Sequence, residues 1–202
     1  MSGTMRLSHG LVATLLLLVA AACAPTQPTQ FYTLSSIQLP PNDAADNPRT
    51  VVAVGPVNLP EYLDRPQIVT RASGNRVMLA EFNSWVEPIN GMFIRVLVEN
   101  LSLLLATDNV IALPQRRPMR LDYQVEVDVT RFDADLNGRA LLDARWRVFG
   151  RDGERLVEEG RSTIVQPAAE PGNYEAIVAA MSRALGQMST SIASAIEKLR
   201  RR

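Results

Sequence analysis

Two side chains that often carry chemistry at neutral pH occur once each: His9 and Cys23. One histidine and one cysteine cannot complete a zinc site of nitrogen and sulfur ligands, and a lone cysteine cannot close an internal disulfide. Nucleophilic catalysis needs a base within reach of the nucleophile. Serines are plentiful, but no G-x-S-x-G elbow is present, and no histidine follows His9. Glu158 and Glu159 could in principle work as an acid and a base; a solvated strand face is the plainer reading. The run Asp133-Ala134-Asp135-Leu136-Asn137-Gly138 opens like a calcium loop, which wants a bidentate Glu at its twelfth position. That position is Ala144. Asn137-Gly138 is instead a hairpin-turn signal between two strand patterns. The expectation is a protein without enzymatic activity, cofactor or metal.

The chemistry at Cys23 is of another kind. Arg6 gives a positive start, Leu11 to Ala22 is apolar, and Ala20, Ala21 and Ala22 lead directly to the cysteine. As a helix the apolar run spans roughly 18 Å, short of the ~30 Å hydrocarbon core. Short apolar run, basic start and small exit residues make a secretory signal. The alanines before Cys23 resemble the lipobox of bacterial lipoproteins, where the cysteine is acylated and becomes the new N-terminus. The alternative is a plain secretory signal with Cys23 as an incidental thiol. The resemblance implies a signal peptide over 1–22, a lipidated Cys23 with a tether to residue 30, and one periplasmic domain over 31–202. Ala24, where aspartate would favour inner-membrane retention, points to the periplasmic face of the outer membrane. Multiple acyl chains anchor stably where one binds reversibly.

The remaining 31–202 must be positioned by its secondary structure. Of the 202 residues, 47% are hydrophobic and 21% charged, enough for a true core. Lys plus Arg and Asp plus Glu both count 21, so the net charge is zero and nucleic acid is not an expected partner. Strands are expected over Phe31–Ile37, Val51–Val57, a hairpin of Gln67–Arg71 with Arg76–Ala80, and Val110–Leu113. Pro40 to Thr50 is a loop. Ser84-Trp85-Val86-Glu87 fits a capping box and predicts a helix from Trp85 to Ala106. Leu121, Tyr123, Val125, Val127 and Val129 alternate with polar residues, opening a meander that continues over Arg139–Phe149 and Glu154–Val165. Pro171-Gly172-Asn173 then begins a last helix with an apolar stripe from Tyr174 through Met181, Leu185 and Met188 to Leu199. That stripe is a core face or, alternatively, a lipid groove. Arg200, Arg201 and Arg202 complement the helix dipole or touch anionic head groups. The fold class is α+β: an antiparallel sheet packed against two long helices as a two-layer sandwich.

The segment Leu59 to Arg71 mixes an aromatic, paired charges and a proline. The run Tyr62-Leu63-Asp64-Arg65-Pro66-Gln67-Ile68-Val69-Thr70-Arg71, with Trp85-Val86-Glu87-Pro88, Phe31-Tyr32-Thr33-Leu34 and Arg131-Phe132-Asp133, resembles PqiC-like lipoproteins. These are auxiliary lipoprotein components of ABC-type transporters of the MCE class. The resemblance implies a docking subunit in lipid movement between two membranes, with an MCE-domain periplasmic protein as partner and a homo-oligomer left open. The composition of Tyr62, Leu63, Asp64, Arg65 and Arg71 makes them the candidate docking residues; the alternative is that Tyr62 and Leu63 pack under the sheet while Asp64 and Arg65 pair locally. A structural lipoprotein of another envelope complex, or a lipoprotein that carries lipid itself, are the alternatives.

Overall fold

The computed structural model describes residues 27–38, 50–115, 120–151 and 153–201. The expected signal peptide with His9, the expected lipidation site Cys23, most of the expected loop from Pro40 and Arg202 lie outside the described residues. Strands β1 (Gln30–Tyr32), β2 (Val52–Asn58), β3 (Gln67–Ser73) and β4 (Arg76–Trp85) precede helix α1 (Ile89–Leu105). A single 3-10 turn, Glu61–Leu63, joins β2 to β3. Strands β5 (Val110–Ala112), β6 (Tyr123–Asp135), β7 (Arg139–Gly150) and β8 (Arg155–Pro167) then lead to helix α2 (Tyr174–Arg200).

The α+β expectation of one sheet under two helices holds. Alternation drives it: Val125, Val127 and Val129 of β6 and Leu142, Ala144, Trp146 and Val148 of β7 are buried. Helix α2 packs on β6, β7 and β8, α1 packs on β2 and β5, and the helices touch each other. The apolar stripe of α2 is core: Met181, Leu185, Met188, Ile192 and Ile196 are all buried. Each such side chain contributes roughly 1.5–3 kcal/mol of burial. Asn173 caps α2 by accepting from the Glu175 and Ala176 backbone N–H groups. Trp146 fits because its cross-strand neighbour is Gly160; a Cβ there would stand 2.3 Å from the indole.

The sheet is mixed, however, rather than antiparallel throughout. The hairpin β3–β4 and the meander β6–β7–β8 are antiparallel, whereas β1–β4, β2–β5, β2–β6 and β3–β6 are parallel. Periodicity reports which face of a strand is buried but not the direction of its neighbour. The chain between β2 and β6 includes α1, ample for the crossover that parallel strands require.

Two boundaries also move. Helix α1 starts at Ile89, not Trp85, and Pro88 at its N-cap makes no side-chain cap. Ser84 and Trp85 stay in β4, opposite Gln67 and Tyr32, and the Trp85 N–H donates to the Pro66 carbonyl at 2.6 Å. Sheet pairing of a buried tryptophan outweighs a capping signal of about 1 kcal/mol. The first strand ends at Tyr32 instead of Ile37. Beyond it the chain crosses onto the helices: the Ser35 N–H donates to Ser182 Oγ and the Ile37 N–H to Asn100 Oδ1.

The consequence for function lies along β6. One edge pairs with β7 over nearly its whole length. The other edge pairs first with β2, over Tyr123–Asp128, and then with β3, only at Ala134 and Asp135. The sheet therefore forks, and the turn Glu61–Leu63 carries the chain from one branch to the other.

Candidate functional site

Asp133 sits at this fork. Its side chain has no solvent exposure. Oδ2 accepts from Tyr62 Oη at 2.9 Å and from Arg71 Nη2 and Nε at 2.8 and 3.1 Å. Oδ1 accepts from Arg131 Nη2 at 2.7 Å. The Arg71 guanidinium also lies 5.8 Å from the centre of the Tyr62 ring and donates from Nη1 to the Gly74 carbonyl. One carboxylate thus ties the turn, strand β3 and strand β6 together. Burial pushes the Asp133 carboxyl up, but hydrogen bonds from Arg71, Arg131 and Tyr62 outweigh it and hold it below its ordinary value. Burial, then the Asp133 charge, push the Tyr62 phenol up to about 12. At neutral pH the site is an ionised carboxylate held by two guanidiniums and a protonated phenol. Both carboxylate oxygens are engaged, so it has the form of a clamp rather than of a general base.

The candidate docking residues divide on this geometry. Leu63 is buried in the core and Tyr62 packs against it. Tyr62 and Arg71 spend their polar groups on Asp133. Arg65 Nε donates to the Tyr62 carbonyl at 2.7 Å. Asp64 faces solvent, flanked by exposed Glu61 and Pro66. Glu158 and Glu159 are neighbours on β8, so they point to opposite faces and do not converge. The calcium-like run is a hairpin turn: Asp135 accepts from the Asn137 and Arg139 backbone N–H groups and pairs with Arg139 at 2.7 Å. Gly138, at φ +73°, takes the left-handed position that the turn requires.

Residues 32–193 match the family model described as ABC-type transport auxiliary lipoprotein component. The chain belongs to that family. The match contains the whole clamp, the core face of α1, that of α2 as far as Ala193, and every strand except the start of β1. Among curated relatives, the chain is 24% identical over 169 residues to the intermembrane transport lipoprotein PqiC of Escherichia coli K12, covering 84% of this chain and 87% of that one. Two crystal structures share the fold. One, of an uncharacterised protein, has a TM-score of 0.68 at 21% identity, covering 84% of this chain and 99% of that one. The other, of a DUF330 protein from Xanthomonas campestris, has a TM-score of 0.65 at 19% identity, covering 82% and 93%.

In this auxiliary lipoprotein the clamp has a testable titration. A phenol whose folded pKa exceeds its ordinary 10 contributes stability that is full below pH 10 and lost as pH rises towards 12. Tyr62→Phe should therefore be less stable than the parent at pH 7, and the two unfolding curves should converge between pH 10 and 12. Parallel curves across that range would show that Tyr62 does not titrate against Asp133.

A cleft of about 840 Å³ also opens between α2 and the β7–β8 pair. Ile37 and Trp146 line it beside Glu158, Gln187, Thr190 and Lys198. Its walls mix polar and apolar surface and it is open to solvent, unlike the enclosed apolar pockets that hold lipid chains.

Proposed function

We propose that this chain is the membrane-anchored, periplasmic auxiliary subunit of an ABC-type transporter of the MCE class, moving lipids between the inner and outer membranes. The family match over 32–193 carries the reading. The name of its E. coli relative, intermembrane transport lipoprotein, supports the direction of the assignment and names no enzyme. In this reading residues 1–22 are removed, Cys23 is acylated, and the domain from residue 31 stands at the periplasmic face of the outer membrane. Its partner is a periplasmic MCE-domain protein.

Docking falls to the outward side of the turn at the fork. The clamp holds the backbone of Glu61–Leu63 rigidly, and Glu61, Asp64 and Pro66 project from it with Arg65 beside them. A rigid presenter loses little entropy on binding. The test is capture of the MCE-domain protein on the detergent-solubilised lipoprotein. Asp64→Arg should change the unfolding free energy by less than about 0.5 kcal/mol. It should weaken capture by about 1–2 kcal/mol, roughly tenfold. Undiminished capture by Asp64→Arg moves the docking face elsewhere. Failure of the parent protein to retain any MCE-domain protein sinks the transport assignment itself.

A further inference from the structure

Strand β8 leaves a long open edge on the sheet. Edge strands β1 and β5 have three residues each, whereas β8 has thirteen and pairs only with β7 among the described residues. Sheets usually keep such edges short or covered. The backbone N–H and C=O groups along the outer side of β8 repeat at strand spacing, and an extended backbone is what matches that repeat. The cleft between β8 and α2 opens over the same edge. Gln166 Nε2 donates to Gln187 Oε1 and Arg183 Nη2 to the Pro167 carbonyl, so α2 runs back along β8 from there. It turns the small side chains of Thr190, Ser191 and Ser194 into the cleft. The edge has room for one more strand and the cleft for one more helix.

A second copy of this chain supplies both, and its charges set the register. Gly160 lies opposite Trp146, whose buried indole is on the helix side, so Glu159 and Arg161 share the other face of the sheet. Glu159 is exposed and makes no ion pair among the described residues. Arg161 gives Nε and Nη2 to Asp143, which leaves Nη1. In antiparallel pairing about a two-fold axis at Gly160, Glu159 meets Arg161 of the second copy, Arg161 meets its Glu159, and Glu158 meets its Ser162. Opposite charges directly across a strand pair are stabilising. An axis at Arg161 would set that arginine against itself, a destabilising like-charge pair. An axis at Ser162 would set Glu159 against Val165 and leave the charges unmatched. The helices agree with Gly160. Helix α2 packs on β7 and β8. With strands ~4.8 Å apart, a helix above that pair lies about 5 Å from the two-fold, so the two copies of α2 run antiparallel about 10 Å apart, the spacing of packed helices.

We infer that β8 and the outer flank of α2 form a self-complementary interface, through which two copies of this chain join their sheets about a two-fold axis at Gly160. Such a contact closes at two copies. It depends neither on the transport assignment nor on acylation of Cys23. It also leaves the turn Glu61–Leu63 free, because that turn lies across β6 from β7 and β8.

The test is the mass of the detergent-solubilised full chain by analytical ultracentrifugation across a wide range of concentration. Two copies per particle, separating on dilution, are expected. Glu159→Arg sets arginine against arginine twice in the contact and should raise the dissociation constant about tenfold or more. The melting temperature of the separated chain should stay where it was. Benzoylphenylalanine in place of the exposed Val165 reads the register: on irradiation of mixed light- and heavy-isotope chains it should join one copy to the other near Arg155. A parent protein that stays monomeric at every concentration overturns the inference. So do an unchanged dissociation constant in Glu159→Arg and particles of more than two copies. A crosslink within one chain to residues 39–49, or one formed only when the MCE-domain protein is added, overturns it as well and gives the edge to that other occupant.

Discussion

Asp133→Ala should cost about 3–5 kcal/mol of folding free energy, the usual penalty when one partner of a buried charge group is removed. The reason is what remains. Arg71 and Arg131 would keep their charges at the fork without the carboxylate that pairs them, Arg71 retaining the Gly74 carbonyl as an acceptor, and the Tyr62 hydroxyl would lose its acceptor. In a domain of this size each kcal/mol shifts the melting temperature by about 2–4 °C, so a fall of roughly 10 °C is expected. The effect has a pH signature. The Asp133 carboxyl is depressed below its ordinary 3.8, so its contribution is present above that value and disappears as pH falls through the lower, folded one. The gap between parent and variant should narrow in strong acid, below about pH 4. Replacing Arg71 and Arg131 by apolar residues together with Asp133→Ala should recover much of the loss, because no unpaired charge then stays buried. A single variant as stable as the parent at pH 7 would show that the clamp adds nothing to the fork. The readout is denaturant unfolding at fixed temperature across pH.

Phe93→Ala should be comparably costly, about 3–5 kcal/mol. Phe93 projects from α1 and Phe132 from β6; both are fully buried, with ring centres 5.2 Å apart and planes at 88°. Edge-to-face contact adds about 0.5–1.5 kcal/mol to the area buried. The cavity would open beneath the residue that immediately precedes Asp133, so helix layer and clamp share one segment of backbone. Phe93→Ala and Asp133→Ala should accordingly combine non-additively, with a coupling of about 0.5 kcal/mol or more. Phe93→Leu, which keeps most of the volume, should cost less than about 1.5 kcal/mol. Denaturation midpoints of the two single variants and the double variant measure all three quantities. A loss under about 1 kcal/mol for Phe93→Ala would mean that the helix layer collapses onto β6 and fills the space.

The order of elements was legible in the residues alone because each rests on local periodicity. Val125, Val127 and Val129 announce a half-buried strand, and Met181, Leu185 and Met188 a helix with one apolar face, wherever the rest of the chain goes. The turn at Asn137-Gly138 and the cap at Asn173 are equally local, set by one or two backbone angles. The family, too, was visible in the runs from Tyr62 to Arg71 and Arg131 to Asp133.

What those runs do was not visible. Tyr62 and Arg71 have the composition of interface anchors, yet they face inward, because Asp133 is buried and requires them. Nothing local predicts that burial. Val129 to Phe132 contains a register shift that moves the helix-facing set from odd to even positions, and Asp133 is enclosed only because β2 and β3 part around it. Trp85 likewise remained in β4 against a capping box, through pairing with Tyr32, more than fifty positions earlier in the chain. Periodicity assigns each residue to a face of its own element. Which surface covers that face, and whether an arginine there meets a carboxylate or water, is decided by strands brought together from distant parts of the chain, and so by the tertiary structure alone.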